Sequence, residues 1–440
     1  MKFGKCFLTV IIFCAGFAAA ALAADPKAGR YDSVYAQEPL TSKNLKDPFS
    51  RAIAFPFELL KWPMDKGAVL TEKYRIDKKA KWIYEKSVEY GVTPHLDSMD
   101  TEPFPAFGAT FDMVSLARRK DDHPDLILKT AVRYGPKVFF QVASELGKQR
   151  ILDTGFYTSG IFQYEMRENE TFYGIGPNTS LGDSTSYKKE TTSLGIVGGY
   201  EFSPVWNLAS KFVYDHVNIG NRAHDGKGDI RNIFAGQDIP GLYGDDLLGY
   251  SLGLTRDTRD SKDFATRGSY QKLLFKFTEG VNGSPARYFT YQVDAAKYFR
   301  IASPRRIFVT RIFGESNDAV NDGTVPFYNM TKLGGSGTFP RLSQTERAFV
   351  FNRFYGKSAV LFNLEYRYTV WEYRDFKMST SFFWDQGETS KDSWAFRLKD
   401  LRESYGIGFY VTYAQNMLLD FSVAHGDEGT RFYVKNKLPF

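Results

Sequence analysis

The chain has 440 residues, a formal net charge of +6 and 16% aromatic residues, including 39 Phe and 27 Tyr. The positive charge is spread along the chain without the basic cluster that a nucleic-acid partner needs, so nucleic acid is excluded. Beyond the amino terminus there is no run of about 20 apolar residues, which excludes a helical membrane protein.

At the amino terminus, Lys2 and Lys5 precede an apolar run from Phe7 to Ala20. Ala21-Leu22-Ala23 is a small-x-small cleavage signal, so residues 1–23 are expected to be a signal peptide removed before Ala24. Both cysteines, Cys6 and Cys14, lie in this segment, and the mature chain is expected to have no disulfide, thiolate metal site or cysteine nucleophile. Residues 24–87 are interrupted by Pro26, Pro39, Pro48, Pro56 and Pro63. Within them Lys66 to Ser87 predicts an amphipathic helix with Val69, Tyr74, Ile76, Trp82 and Ile83 as a loose apolar stripe. So short and broken a segment buries little core, and a periplasmic lead-in is the expectation.

From about Gly91 the pattern changes to runs of about ten residues that alternate with period two. In Ser358 to Thr369, Val360, Phe362, Leu364, Tyr366 and Tyr368 share one face and Asn363, Glu365 and Arg367 the other. Phe376, Met378, Phe382 and Trp384 alternate with Lys377, Ser379, Ser381 and Asp385. At the end, Phe432, Val434, Leu438 and Phe440 alternate with Arg431, Tyr433, Lys435 and Lys437. A soluble sandwich has the same period with shorter strands; strand length and the leader point instead to lipid outside and water inside. Strands are predicted at 88–98, 104–117, 125–134, 138–147, 154–166, 188–202, 205–218, 247–258, 267–279, 287–299, 305–315, 358–370, 376–387, 404–414, 416–425 and 430–440. The expected fold is an all-β, transmembrane antiparallel β-barrel of about sixteen strands over residues 88–440, with a short amino-terminal periplasmic segment. Residues 167–187, 219–246 and 316–357 are the long, outer connections.

Three stretches resemble the BamA/TamA family of the bacterial surface antigen superfamily. Leu254-Thr255-Arg256-Asp257-Thr258-Arg259-Asp260 with Thr266-Arg267-Gly268 resembles its strand–turn–strand signature, in which Asp257, Arg259, Asp260, Arg267 and Gly268 are the turn motif. Leu333-Gly334-Gly335-Ser336-Gly337, followed by Arg341, resembles its long sixth outer loop. Asn363-Leu364-Glu365-Tyr366-Arg367 and Phe383-Trp384-Asp385-Gln386-Gly387 resemble the two strands after that loop. The order and spacing agree over roughly residues 88–440.

The alternation places Glu365 and Asp385 on the lumen face, and two carboxylates in a confined interior invite a cation. The resemblance implies that the sixth loop enters the lumen and sets its arginine, here Arg341, against that wall, where the guanidinium fork suits carboxylates. Gly334, Gly335 and Gly337 would allow the tight backbone of the tip. The family has a glycine and then an aromatic after the arginine, whereas this chain has Pro340-Arg341-Leu342-Ser343, so a different tip path is expected. Residues 24–87 are too short for a polypeptide-transport-associated (POTRA) domain with a linker, and the chain resembles the members that lack them. The terminal aromatic, Phe440, resembles the signal read by the barrel-assembly machinery.

The five histidines, His95, His123, His216, His224 and His425, have no metal-ligand spacing, and no G-x-S-x-G turn occurs. Asp225, Asp229, Asp245 and Asp246 could hold calcium in an outer loop, but solvated loop carboxylates are the favoured reading. No cofactor and no metal are expected. The leading expectation is a non-enzymatic outer-membrane barrel that assists insertion or translocation of a protein or lipid. A plugged structural barrel or narrow pore is the alternative, and a barrel hydrolase is a third, lacking a catalytic set. Expected partners are outer-membrane lipid, the barrel-assembly machinery during biogenesis and an unidentified client, with a homodimer left open.

Overall fold

The computed structural model describes residues 82, 86–87, 89–97, 106–112, 127–135, 139–148, 151, 154–221, 228–234, 237–335, 345–373, 376–396, 398–399, 401–413 and 416–435. Sixteen strands form one antiparallel sheet in chain order: β1 (Val92–Asp97), β2 (Ala106–Asp112), β3 (Ile127–Gly135), β4 (Phe139–Lys148), β5 (Phe156–Phe172), β6 (Thr185–Glu201), β7 (Trp206–Asn221), β8 (Gly244–Asp257), β9 (Gly268–Val281), β10 (Arg287–Ile301), β11 (Ser303–Ala319), β14 (Ser358–Tyr373), β15 (Phe376–Ser390), β16 (Arg402–Tyr413), β17 (Asn416–Gly426) and β18 (Gly429–Lys435). Two short strands, β12 (Thr331–Leu333) and β13 (Phe354–Gly356), pair inside the β11–β14 connection. Every one of the sixteen predicted strands is present. Of the expected amphipathic helix from Lys66 to Ser87, Trp82, Lys86 and Ser87 are helical; the rest of that segment, the leader and Phe440 lie outside the described residues.

The period-two pattern sorts as two solvents require. On β14, Asn363, Glu365 and Arg367 are buried and Phe362, Leu364 and Tyr366 are not. On β15, Ser381, Phe383 and Asp385 are buried while Phe382 and Trp384 are exposed. The large apolar exposed side chains, among them Leu194, Phe212, Leu273, Val293, Ile312, Ile407 and Phe432, belong on a surface bathed in lipid. The sheet curls around the β11–β14 connection. Asn352 of that connection reaches Glu170 on β5, and Arg353 reaches Glu428 between β17 and β18, strands far apart in the sheet order.

Strands β5 to β11, β14 and β15 run for 14 to 17 residues, longer than the roughly 9–11 that cross a bilayer. The outer ends of β5 to β9, β11 and β15 run past the predicted strand bounds. Arg167-Glu168-Asn169-Glu170 is a charged run without alternation, so it does not read as strand; the ladder nevertheless continues through it with a bulge between Arg167 and Glu170 and ends at Phe172 opposite Thr185. Outside the hydrocarbon a strand needs no apolar face, only a partner. These extensions carry an aromatic dome in which Phe172 packs edge-on against Phe234, Phe327 and Tyr355. The dome draws in a short helix, α1 (Ile230–Ile233), whose Asp229 cap accepts from the Arg231 amide.

Candidate functional site in the barrel lumen

The β11–β14 connection turns inward on two glycines. Gly334 has φ +111° and Gly335 φ +90°, and a Cβ on Gly334 would stand 2.4 Å from the Val350 carbonyl oxygen. Gly335 exchanges backbone hydrogen bonds with Glu346, its amide donating over 3.1 Å and its carbonyl accepting over 3.0 Å, which closes the base of the tip. Gly337 lies outside the described residues.

Beyond this base stands Arg347. Its Nη2 donates to Asp385 Oδ1 (2.7 Å) and its Nε to Asp385 Oδ2 (2.8 Å), while Nη1 donates to Glu365 Oε2 (3.0 Å). The Arg347 amide also donates to Asp385 Oδ2, and the guanidinium lies 3.4 Å from the Phe383 ring centre. All three charged side chains are essentially without solvent exposure. This corrects the sequence expectation. Arg341 lies outside the described residues, and both wall carboxylates are occupied by Arg347, six positions later.

The correction also removes most of the expected departure at the tip. Arg347-Ala348-Phe349 places an aromatic two residues after the arginine and differs from the glycine pattern by one methyl group. That methyl is fully buried, and Gly426 leaves it room, since a Cβ there would be 2.7 Å from the Ala348 Cβ. The spacing arginine–small–aromatic marks Arg347, whereas Arg341 is the first arginine after the glycine run and lacks it.

The lock belongs to a larger network. Glu365 also accepts from Arg367 Nε (2.8 Å) and from the Tyr410 hydroxyl (2.7 Å). Asn363 donates to Asp385 and to the Thr345 carbonyl, and receives Arg311, which pairs with Asp294 through two bonds of 2.8 and 2.9 Å. Fixing the tip backbone, Ser404 on β16 accepts from the Ala348 amide and the Tyr433 hydroxyl on β18 donates to the Arg347 carbonyl. Asp294, Arg311, Tyr410 and Tyr433 carry no local signal; each is one polar residue on an alternating strand, and their meeting depends on strand register and on the curvature of the sheet.

From the other side the β8–β9 turn, Thr258 to Arg267, enters the lumen. Its motif residues organise the turn itself. Asp257 binds the Arg259 guanidinium and amide, and Asp260 accepts from the amides of Thr266 and Arg267. Burial alone would lower the Arg259 pKa, but the Asp257 carboxylate outweighs it and the guanidinium is held charged. Gly268 has φ +102°, and a Cβ there would lie 2.1 Å from the Thr258 carbonyl oxygen. The Arg267 side chain is exposed, so of the motif it alone points away from the turn's core. The turn delivers Phe264 and Ala265 into a cluster with Tyr298, Ile307, Val309, Tyr410 and Met417, and Arg367 lies over the Phe264 ring.

The calcium alternative disperses. Asp229 caps α1, Asp245 accepts from Ser284 and Tyr328, and Asp246 from Tyr214 and Asn282; Asp225 lies outside the described residues. Burial and then the Asp245 carboxylate push the Tyr328 phenol far above its ordinary range, so it remains a neutral donor. His216 pairs with Asp246 at 2.6 Å near the outer rim. Among the described residues, no group of three His, Cys, Asp or Glu side chains is placed to hold a metal ion.

The model of the Omp85 superfamily domain matches residues 128–435. No curated protein matches the chain. Among solved structures, BamA from Haemophilus ducreyi lacking POTRA domains 1–3 matches with a TM-score of 0.58 at 15% identity, over 79% of this chain and 70% of that one. CdiB from Escherichia coli matches with a TM-score of 0.50 at 12% identity, over 79% of this chain and 62% of that one. CdiB from Acinetobacter baumannii covers 78% of this chain and 59% of its own length, with a TM-score of 0.47 at 12% identity.

Proposed function

The chain belongs to the Omp85 superfamily and is an outer-membrane β-barrel, and from that premise we propose that it is a non-enzymatic barrel assisting the insertion or translocation of another macromolecule, a protein or a lipid. The observation that carries this reading is the tip of the β11–β14 connection, held inside the lumen by Arg347 against Asp385 and Glu365. A loop that closes a channel needs no such lock to a strand pair near the carboxyl-terminal end of the sheet. A loop that sets the geometry of that part of the wall does, because Arg347, Ala348 and Phe349 are bonded to β14, β15, β16 and β18 together. The lock is a structural device in this reading, and the barrel-assembly machinery and a client are its partners. Residues 1–23 act as the leader and 24–87 as a periplasmic lead-in, with Phe440 as the assembly signal.

The test is depletion of the protein followed by quantitative outer-membrane proteomics and lipid analysis. Loss of a defined client supports the proposal. A second reading, a plugged structural barrel, is favoured by the lumen being filled from both ends, by Arg347 on one side and Phe264 on the other. A plugged barrel predicts an unchanged proteome with unchanged permeability, whereas altered permeability to small solutes would mark the narrow pore of the same alternative.

A further inference from the structure

The β15–β16 connection does not stay above the barrel rim. It folds back over the outside of the sheet, away from the strand it leaves, and crosses three strands in order. Outward Ser358 on β14 donates to the Asp392 carbonyl (2.8 Å), Ser316 on β11 accepts from the Trp394 amide (3.0 Å), and Ser393 donates to the Asn317 carbonyl (2.7 Å). The Trp394 ring then lies 4.9 Å from the ring of Tyr291 on β10. The face is fixed by parity. Thr290 and Asn317 bond each other and Asn317 reaches Thr331 of the lumen hairpin, so Tyr291 and Ser316, one residue away on their strands, face outward with Val293 and Ile312.

Depth follows from β10 itself. Arg287, at its outer end, is paired with Glu279 on the outward face and marks a polar boundary. Tyr291 lies four residues further in, about 13 Å along a strand rising roughly 3.3 Å per residue, and somewhat less along the membrane normal once the strand tilt is allowed for. The flap therefore carries Trp394 past the charged pair. Its ring extends an aromatic patch running from Phe277 and Phe275 through Phe289 and Tyr291 to Trp394 and Phe396. Trp394, Phe396 and Leu398 remain 52%, 39% and 61% exposed, apolar surface that adjoins the patch while Lys391, Asp392 and Lys399 of the same connection are exposed beside it.

We propose that the β15–β16 connection is a membrane flap that buries Trp394, Phe396 and Leu398 among the acyl chains of the outer leaflet, anchoring the rim of the barrel beside β10 and β11. Lipid is the occupant because the patch is continuous with the lipid-facing surface of Leu273, Val293 and Ile312, and because Trp rings favour the interfacial layer.

The test uses the full chain with Cys6→Ser and Cys14→Ser, refolded into phosphatidylcholine vesicles, and bimane attached at Leu398→Cys. Ile312→Cys is the lipid-facing reference and Asp322→Cys, in the exposed start of the β11–β14 connection, the aqueous one. Label at 398 should show blue-shifted emission and quenching by nitroxide-labelled lipid, as at 312. Quenching by aqueous iodide, as at 322, overturns the proposal. Protection from both quenchers also overturns it, since a protein surface would then cover the flap. As a label-free check, Trp394→Phe should reduce the fraction of tryptophan emission quenched by brominated lipid; an unchanged fraction contradicts the assignment.

Discussion

The β11–β14 connection enters the lumen from the outer side and the β8–β9 turn from the other, and the two are held by opposite means. The first is bound to the wall. Its charge is satisfied by carboxylates on β14 and β15, and its backbone by β16 and β18. The second is bound mainly to itself. Asp257 and Asp260 satisfy its own arginine and amides, and what it offers the wall is the Phe264 ring together with a half-exposed contact in which Asp260 and the Thr266 hydroxyl accept from Arg300 on β10. An insert of the first kind fails when one distant partner is removed, because a buried charge is left uncompensated. An insert of the second kind should keep its shape when its wall contact is lost, and lose it only when a local bond or a backbone conformation is disturbed.

The largest expected effect tests the wall-bound insert. Arg347→Ala strips Asp385 and Glu365 of a shared cation and should cost about 3–5 kcal/mol, read as a lower unfolding temperature of the heat-modifiable barrel in detergent. Asp385→Ala should cost a similar amount, and the double variant should cost less than the sum; additive effects would break the account of the lock. Arg341→Ala should cost far less, since both carboxylates already have a partner.

Phe264→Ala should follow, at about 3 kcal/mol for a buried ring lost from a cluster that can partly collapse. The comparison is sharpened by limited proteolysis. Arg347→Ala should open the β11–β14 connection to cleavage, whereas Phe264→Ala should leave the β8–β9 turn resistant because its internal bonds survive. Gly268→Ala should cost about 1–3 kcal/mol, since φ +102° and the approach to Thr258 admit no side chain without strain, and here the turn itself should become cleavable.

Glu346→Gln carries the smallest effect. Both carboxylate oxygens of Glu346 are buried without a hydrogen-bond partner, one residue from the locked arginine. Replacing a buried acid by a neutral isostere should leave stability unchanged or raise it, by no more than about 1 kcal/mol in midpoint analysis. A large loss would mean that Glu346 is charged and has a role in holding the tip.

The amino-acid sequence by itself determined the sixteen strands and their faces. Period-two alternation is a local property, and wherever one face meets lipid and the other a polar lumen, each strand carries the whole signal within ten residues. It therefore also placed Glu365 and Asp385 on the lumen wall, and the turn motif from Asp257 to Gly268 in a tight reversal. The strand extensions of β5 and β6 escaped it, because above the membrane the pairing persists while the selection for an apolar face does not. The arginine–small–aromatic spacing marks Arg347 in the sequence, but a long connection can place several arginines at one wall, and the tertiary structure decided that Arg347 reaches the carboxylates. It likewise decided that Asp294 meets Arg311, that Phe264 meets Tyr410 across the lumen, and that the β15–β16 connection turns outward over Ser316 and Tyr291. The first of these contacts is set by the register of neighbouring strands and the others join strands or loops distant in sequence, so their meeting follows from the geometry of the curved sheet rather than from a residue pattern that could be read along the chain.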